Sequence, residues 1–340
     1  MTEQDVKDIM KKRAFPFKTK DCRFVETHIS WLILTDDYVY KFKRPVQYSF
    51  LDFSSKETRL RLLHRELELN RRLAPDIYIS VLPVNNKDGN LVIEHEGRGS
   101  VDNVLLMKRM NEDLQLDLLL RKGLIEKKDM IRVADVLVPF HQDAQRIESG
   151  DTAEVLWEEF ADLMSEMPTI EKSLGSDASS NISRIVGDVR PILESMDDLL
   201  RDRHEKGFVI DGHGDLHCRN IIMMDPPIIF DCLEFSDDLR QLDLLSEIAF
   251  LCMDLERFGR DDLSHAFLKY YLEAIPCIDS KDDERLFLFY KMHRAGIQLK
   301  ISSIRYREAN DERTDPEVHL QLMNTFITLI QKYHSRLLKV

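Results

Sequence analysis

The spacing of hydrophobic and polar positions changes once along the chain, from a period of two to a helical period. Between residues 22 and 46 the segments CRFVETH, SWLILT and YVYKFKRPV are rich in β-branched and aromatic residues. They break at Thr35, Asp36 and Asp37, which predicts two or three antiparallel strands joined by tight turns. A helix is predicted next, capped by Ser54 or Ser55. KETRLRLLHRELELNRRL continues it with strong helix formers as far as Ala74 and Pro75, with Leu60, Leu63, Leu67 and Asn70 on one face. IYISVLPV, a turn over residues 85–89, NLVIEHEG and DNVLLMKRM complete a sheet of about five strands. From residue 127 the pattern is helical: a run over 127–145 that kinks or ends at Pro139, runs over 154–167 and 181–203 separated by a polar LGSDASSN loop, and four long runs after residue 243. Strands first and helices second, around one later hairpin, predict an α+β chain of two lobes. Residues 1–109 form a small antiparallel-sheet lobe with one helix, and residues 110–340 a larger, mainly helical lobe.

Composition narrows the possible partners. The chain of 340 residues carries a net charge of −13 and has a sequence pI near 5.4. Bulk attraction to nucleic acid or to an anionic membrane is therefore disfavoured. The opening MTEQDVKDIMKKRAF contains acidic residues and no uninterrupted apolar core, unlike a secretory signal. No apolar run approaches the roughly 20 residues a membrane helix needs. Five cysteines, an odd number with no CxxC pair, point to a reduced, cytoplasmic setting. Cys218 and Cys232 read as small packing residues.

Candidate chemistry concentrates in residues 209–235, VIDGHGDLHCRNIIMMDPPIIFDCLEF. Pro226 and Pro227 predict a hairpin in which position 220 lies opposite 231 or 232. Asn220 and Asp231 then meet at its open end and offer hard oxygen ligands to Mg²⁺. Asp215, five residues before Asn220, occupies the entering loop, where a carboxylate can take the proton of an attacking hydroxyl. Taken singly, each of these residues reads equally as a turn or cap former; their order and spacing carry the chemical reading.

Lys41 and Lys43, two apart, share a face of one strand. Phosphate binding requires one of them to point inward and pair with a helix carboxylate, either Glu66 or Glu68, while at least one is expected on a solvated strand edge. The bend at 27–30 has no glycine, so a phosphate-covering loop there would use ordinary backbone amides and the Ser30 hydroxyl. Asp243 and Glu247 either brace the catalytic loop or form a solvated i,i+4 pair. Lys291, Arg294, Gln298 and Arg305 run along one side of a late helix, forming either a site for an anionic acceptor or a solvated face.

HGDLHCRN resembles the HGDxxxxN motif of the aminoglycoside phosphotransferase and choline kinase superfamily, itself similar to the HRDxxxxN loop of protein kinases. IIFDCLEF resembles the segment with that family's metal-binding Asp, where protein kinases have DFG; Cys232 and Leu233 stand in place of Phe and Gly. ETHISWLIL, YVYKFKRPV, FLDFS, ELELNRRLAPDIY, DGHGDLH, AFLCMDLERFGRDDL and FYKMHRA resemble an uncharacterised bacterial branch, often described as aminoglycoside phosphotransferase-like. The likeness spans about residues 15–310. Some members of the branch carry a fused P-loop ATPase-type domain. No GxxxxGK[ST] occurs in this chain, so by analogy a P-loop ATPase would be a separate partner.

The resemblance implies a two-lobed protein-kinase-like fold with catalytic loop 211–220 and metal hairpin 220–231. It makes Asp215 the base and Asn220 and Asp231 the Mg²⁺ ligands. It favours Lys41 for the α/β-phosphates, because YVYK matches the family's strand end, and Glu66 as its partner, because it opens ELxLN. Adenine would lie along residues 107–110, with Lys108 and Met110 contributing, and His213 would hold the loop. The implied activity is ATP- and Mg²⁺-dependent transfer of the γ-phosphate to a hydroxyl of a small molecule. A protein Ser/Thr kinase and a nucleotide-binding regulatory module with little catalysis are the alternatives.

Overall fold

The computed structural model describes residues 1–48, 51–97, 99–309 and 315–339. Phe50 of the FLDFS segment and positions 310–314 and 340 of the expected helical lobe lie outside the described residues. The chain divides into two compact units, one of residues 1–115 and 220–237, the other of residues 116–219 and 238–340. The hairpin expected with the helices therefore groups with the sheet, and the first segment extends to 115 rather than 109. Backbone contacts explain the grouping: Gln115 bridges Ile222, and the Met223 amide donates to the Leu114 carbonyl at 2.8 Å.

The first unit runs α1 (Glu3–Lys12), β1 (Cys22–Glu26), β2 (Ser30–Thr35), β3 (Tyr38–Lys43), the short strands β4 (Gln47–Tyr48) and β5 (Leu51–Asp52), α2 (Lys56–Asn70), β6 (Tyr78–Lys87), β7 (Asn90–Ile93) and β8 (Asp102–Lys108). Six of the strands form an antiparallel sheet in the order β1-β2-β3-β8-β6-β7. The helix α1, absent from the sequence expectation of a single helix, is closed by a capping box of Thr2 and Asp5. Helices pack on both faces of the sheet, so its central strands have no solvated side and the lysines of β3 are paired rather than exposed. Val6 and Ile9 of α1 pack with Trp31, Ile33, Tyr40 and Phe42 on one face. Leu63 of α2 packs with Leu34, Val39, Leu105 and Met107 on the other.

Strand alternation puts Lys41 and Lys43 on the Val39 face, toward α2. The expectation of a solvated edge lysine fails, because β3 is interior, flanked by β2 and β8. Ser55 caps α2 by accepting from the Thr58 amide. The buried face of this helix is Arg59, Leu62, Leu63, Glu66, Leu69 and Asn70, shifted from the expected leucine row. Glu66 is fully buried.

The second unit holds α3 (Leu116–Arg121), α4 (Lys127–Asp143), α5 (Ala153–Ala161), α6 (Met167–Leu174), α7 (Ser176–Glu194), α8 (Asp197–Glu205), α9 (Leu244–Arg257), α10 (Asp261–Ala274), α11 (Lys281–Glu308) and α12 (Pro316–Leu337). The helix α4 continues through Pro139. The predicted LGSDASSN loop shrinks to a break at Gly175, whose φ of +93° suits glycine. Strands Val209–Asp211 and Gln241–Asp243 pair antiparallel, and the HGD loop follows the first of them. No helix among the described residues is long and apolar enough to cross a membrane.

One buried cation ties this unit together. Arg203 donates to both oxygens of Asp243 at 2.7 and 2.8 Å and to Asp283 at 2.6 Å. Arg203→Met leaves those carboxylates buried without a counter-charge, so the expected loss is ~3–5 kcal/mol. Urea unfolding checks it; a change below ~1 kcal/mol would mean the site repacks or admits water.

Candidate functional site

The first unit gathers its polar groups beneath the sheet. Glu66 holds two lysines, one on each oxygen: Lys41 Nζ lies 2.7 Å from Oε1 and Lys43 Nζ 2.7 Å from Oε2. Lys41 also pairs with Asp231 Oδ1 at 2.7 Å. Lys43 pairs in addition with Glu234 and lies 5.0 Å from the centre of the Phe53 ring. Glu68, the alternative partner, points to solvent and pairs with Arg65. Burial works against the charge on Lys41, but Asp231 and Glu66 outweigh it and hold its pKa above the ordinary value. Burial would likewise raise Glu66, yet the two ammonium groups hold it at about 2.

The hairpin pairs Ile221 with Ile229 and Ile222 with Ile228, and the Asn220 carbonyl accepts from the Phe230 amide at 3.0 Å. Position 220 is thus opposite 230, not 231 or 232, because the turn is one residue shorter than that register requires. Asp231 compensates through its backbone, with a left-handed φ of +62°. The Asp231 amide donates to the Tyr78 hydroxyl at 3.1 Å. The next amide, of Cys232, donates to Asn70 Oδ1 at 2.8 Å. Asn220 is buried, whereas the Asp231 carboxylate is 44% exposed.

A cavity of about 270 Å³ opens over this group. Its walls are apolar (Val25, Leu32, Leu34, Val39, Met107, Phe230), Lys41 and Asp231 are at its polar end, and Lys108, Arg109 and Met110 line it too. The Lys108 and Arg109 amides are already committed, to Ile77 O and Asp37 O, each at 2.8 Å. Ser30 is not among the lining residues, and it is almost wholly buried at the start of β2. A buried hydroxyl does not present itself to a phosphate, so the expected Ser30 contact is withdrawn.

The second unit holds the HGD loop by its backbone. Buried Glu247 accepts from the amides of His213 at 2.5 Å and Gly214 at 3.1 Å. A side chain at Gly212 would meet Glu247 Oε1 at 3.0 Å, and Gly214 has φ +82°, so both positions suit glycine. His213 Nδ1 accepts from the Asp215 amide at 3.2 Å, and Asp254 accepts from the Cys218 amide at 2.9 Å. Arg240 clamps Asp211 with two bonds of 2.9 Å.

Asp215 Oδ2 lies 3.3 Å from His217 Nε2. Burial would raise Asp215, but the charge and hydrogen bond of His217, helped by His213 and Arg294, hold it well below the usual carboxylate range. Burial works against protonation of His217, and Asp215 outweighs it, raising the imidazole. A second cavity, of about 210 Å³, includes Asp215, His217, Arg219 and Arg305 in its lining.

Three sequence expectations change here. Glu247 braces the loop, but Asp243 caps α9 and holds Arg203 instead; neither is solvated. Lys291, expected at an acceptor, is buried on Glu256 at 2.9 Å beneath the Tyr333 ring. Arg294 reaches the Gly214 carbonyl at 3.4 Å and Ser246 Oγ at 3.1 Å, supporting the loop from behind. Glu234 and Tyr78 went unnoticed in the sequence, and Asn70 was read only as part of a helix face, not as a partner of the Cys232 amide. Only Lys43 had a signal, its shared strand face with Lys41.

No family model matches the chain. An uncharacterized protein of Mycobacterium tuberculosis is 32% identical over 297 residues, which is 84% of this chain and 56% of that protein. The chain thus spans just over half the length of the curated relatives it matches. The solved structure of a choline/ethanolamine kinase family protein from Mesorhizobium loti matches with TM-score 0.58 and 11% identity, over 99% of each chain. A choline kinase from Cryptosporidium parvum matches with TM-score 0.58 and 10% identity, over 99% of this chain and 97% of that one.

The shared carboxylate yields a stability prediction. Glu66 has a folded pKa of about 2 against 4.5 when free. It therefore adds stability above pH 4.5 that is lost as pH falls toward about 2. Lys43→Met removes one counter-charge from Glu66 and from Glu234 and should cost ~3–5 kcal/mol at neutral pH. The deficit should shrink as pH falls through that window, read by urea unfolding across a pH series. A deficit that stays constant would assign the loss to packing rather than charge.

Proposed function

Because the chain has the protein-kinase-like fold of the choline kinase and aminoglycoside phosphotransferase superfamily, we propose that it is an ATP- and Mg²⁺-dependent phosphotransferase. Its acceptor is a hydroxyl of a small molecule. The observation that carries the reading is Lys41, paired at 2.7 Å with both Glu66 and Asp231 at the polar end of an apolar cavity. A flat base suits the apolar walls, and the cation suits the phosphates that follow it. Lys108 and Met110 border the base in this reading.

The donor set supports Mg²⁺. One amide oxygen and one half-exposed carboxylate, from Asn220 and Asp231, are hard ligands that leave the remaining positions to phosphate and water. Bound there, Mg²⁺ supplies charge compensation to the phosphate oxygens. Lys41 adds a fixed ammonium, and Glu66 keeps it in place.

Asp215 orients the acceptor hydroxyl. Its pKa lies below the ordinary range, so it is ionised at neutral pH and takes the proton late, as charge builds on the attacking oxygen. The acceptor oxygen bonds to the γ-phosphorus while the bond to the bridging oxygen breaks. ADP leaves with that electron pair, and the acceptor's proton goes to Asp215.

Asp215→Asn should lower kcat by at least ~100-fold while ATP binding, followed by calorimetry, is retained. Asp231→Ala should lose the Mg²⁺-dependent part of nucleotide binding. Full activity in Asp215→Asn would remove the base assignment. Binding of ATP with no consumption across a broad metabolite extract would favour a regulatory module, and label transferred to protein would favour a Ser/Thr kinase. His217→Gln removes the charge that holds Asp215 down, so the acid limb of kcat/KM should move to higher pH. An unmoved limb would assign it to another group.

A further inference from the structure

Asp231 has a left-handed φ of +62°, a conformation disfavoured for an L-residue other than glycine. Two side chains hold the peptide groups on either side of its Cα. The Asp231 amide donates to the Tyr78 hydroxyl at 3.1 Å, and the Cys232 amide donates to Asn70 Oδ1 at 2.8 Å. The first amide belongs to the rigid peptide plane before Cα and the second to the plane after it. The two bonds together therefore fix both backbone angles of Asp231, and the direction of its carboxylate follows. The other contacts of the segment leave that backbone unset. Lys41 meets only the end of the side chain, at 2.7 Å from Oδ1. Arg72 reaches Cys232 Sγ at 3.3 Å, and Lys43 holds Glu234, three residues on.

Asn70 is buried on the face of α2 that carries Leu62, Leu63 and Leu69, where packing alone calls for an apolar side chain. A buried amide is costly there unless its donor and acceptor are both used. Its Nδ2 donates to the Glu66 carbonyl at 3.0 Å and reaches the Cys232 carbonyl at 3.5 Å. That leaves Oδ1 facing the Cys232 amide, so the helix itself orients the group. We propose that Asn70 is a positioning residue: it fixes the backbone of Asp231, and through it the carboxylate on which the metal-dependent part of nucleotide binding relies. The inference rests on Asp231 being a Mg²⁺ ligand of a phosphotransferase. The helix α2 then serves both sides of the donor site. Glu66 sets Lys41 for the phosphates, and Asn70, one turn later on the same face, sets Asp231 for the metal. Without Asn70 the backbone at 231 relaxes toward the extended region and turns the carboxylate away.

Two measurements on the full chain separate this claim from the phosphotransferase reading. The first needs no ligand: hydrogen exchange followed by mass spectrometry over peptides spanning residues 228–235. Asn70→Leu keeps the size of the side chain and removes its donor and acceptor; if that variant does not fold, Asn70→Ala carries the same readout. The Cys232 amide loses its acceptor and should exchange at least ~tenfold faster. The Asp231 amide, whose own partner Tyr78 is untouched, should become labile with it. A single labile amide would show that Asp231 keeps its conformation without Asn70 and would overturn the proposal.

In the second, ATP is titrated calorimetrically into wild type and Asn70→Leu, once with EDTA and once with Mg²⁺. The gain in affinity that Mg²⁺ gives the wild type should fall roughly tenfold in the variant, while affinity in EDTA stays within about twofold. An equal loss with and without Mg²⁺ would mean that Asn70 acts through Lys41 or the fold at large, and would overturn the proposal. An undiminished gain from Mg²⁺ would overturn it too. A wild type that gains nothing from Mg²⁺ would remove the metal reading and the metal half of the proposal together. The exchange measurement still decides, in that case, whether Asn70 fixes Asp231.

Discussion

Glu66 is a single buried carboxylate that holds two ammonium groups, one on each oxygen. The ion pairs of the first unit's candidate site run through it and through the lysines it holds. Lys41 carries the chain of charges on to Asp231, and Lys43 carries it to Glu234. The two lysines thus clamp both ends of the four-residue segment that begins with Asp231. The desolvation of five ionisable groups is tolerable only because acidic and basic groups alternate. Removing either lysine leaves a buried carboxylate short of a counter-charge. Such an arrangement is a poor source of net stability, but it gives Lys41 a fixed position, which the proposed phosphate contact requires.

The second unit solves a different problem with the same chemistry. Its loop packs His213, Leu216 and Cys218 inward, and buried carboxylates grip its backbone as well. Glu247 takes two successive amides and Asp254 a third. Glycine at 212 and 214 lets the chain approach Glu247 and turn. Around Asp215 the charges of His217, His213 and Arg294 all favour the ionised carboxylate.

The motif residues were legible as a group because they lie close together along the chain. His213, Asp215, Asn220 and Asp231 belong to one short stretch, and a loop and hairpin of that length keep such residues near each other in the chain whatever surrounds them. Lys41 and Lys43 were not separable, since a period of two puts both on one face and both prove to be bound. Their distinction lies in which second carboxylate each meets, and those carboxylates come from a segment about 190 residues later in the chain. Lys291 was misread for a related reason. Its helix packs against α9 and α12, so a polar side chain on it is taken inward to Glu256 rather than outward to a ligand.

The sequence by itself determined the order of elements, the division into strands and helices, and the identity of the loop and hairpin residues, because local periodicity and turn chemistry act over a few residues. Tertiary structure alone decided which strand lies inside the sheet, which glutamate is buried, the hairpin register at Asp231 and the company each arginine keeps. Those outcomes depend on segments that meet only after folding: β8 pairing with β3 from 64 to 70 residues downstream, and arginines from four separate parts of the chain lining one cavity. A charge has the same codon on a surface or in a core; only its neighbours, brought by the fold, give it a function.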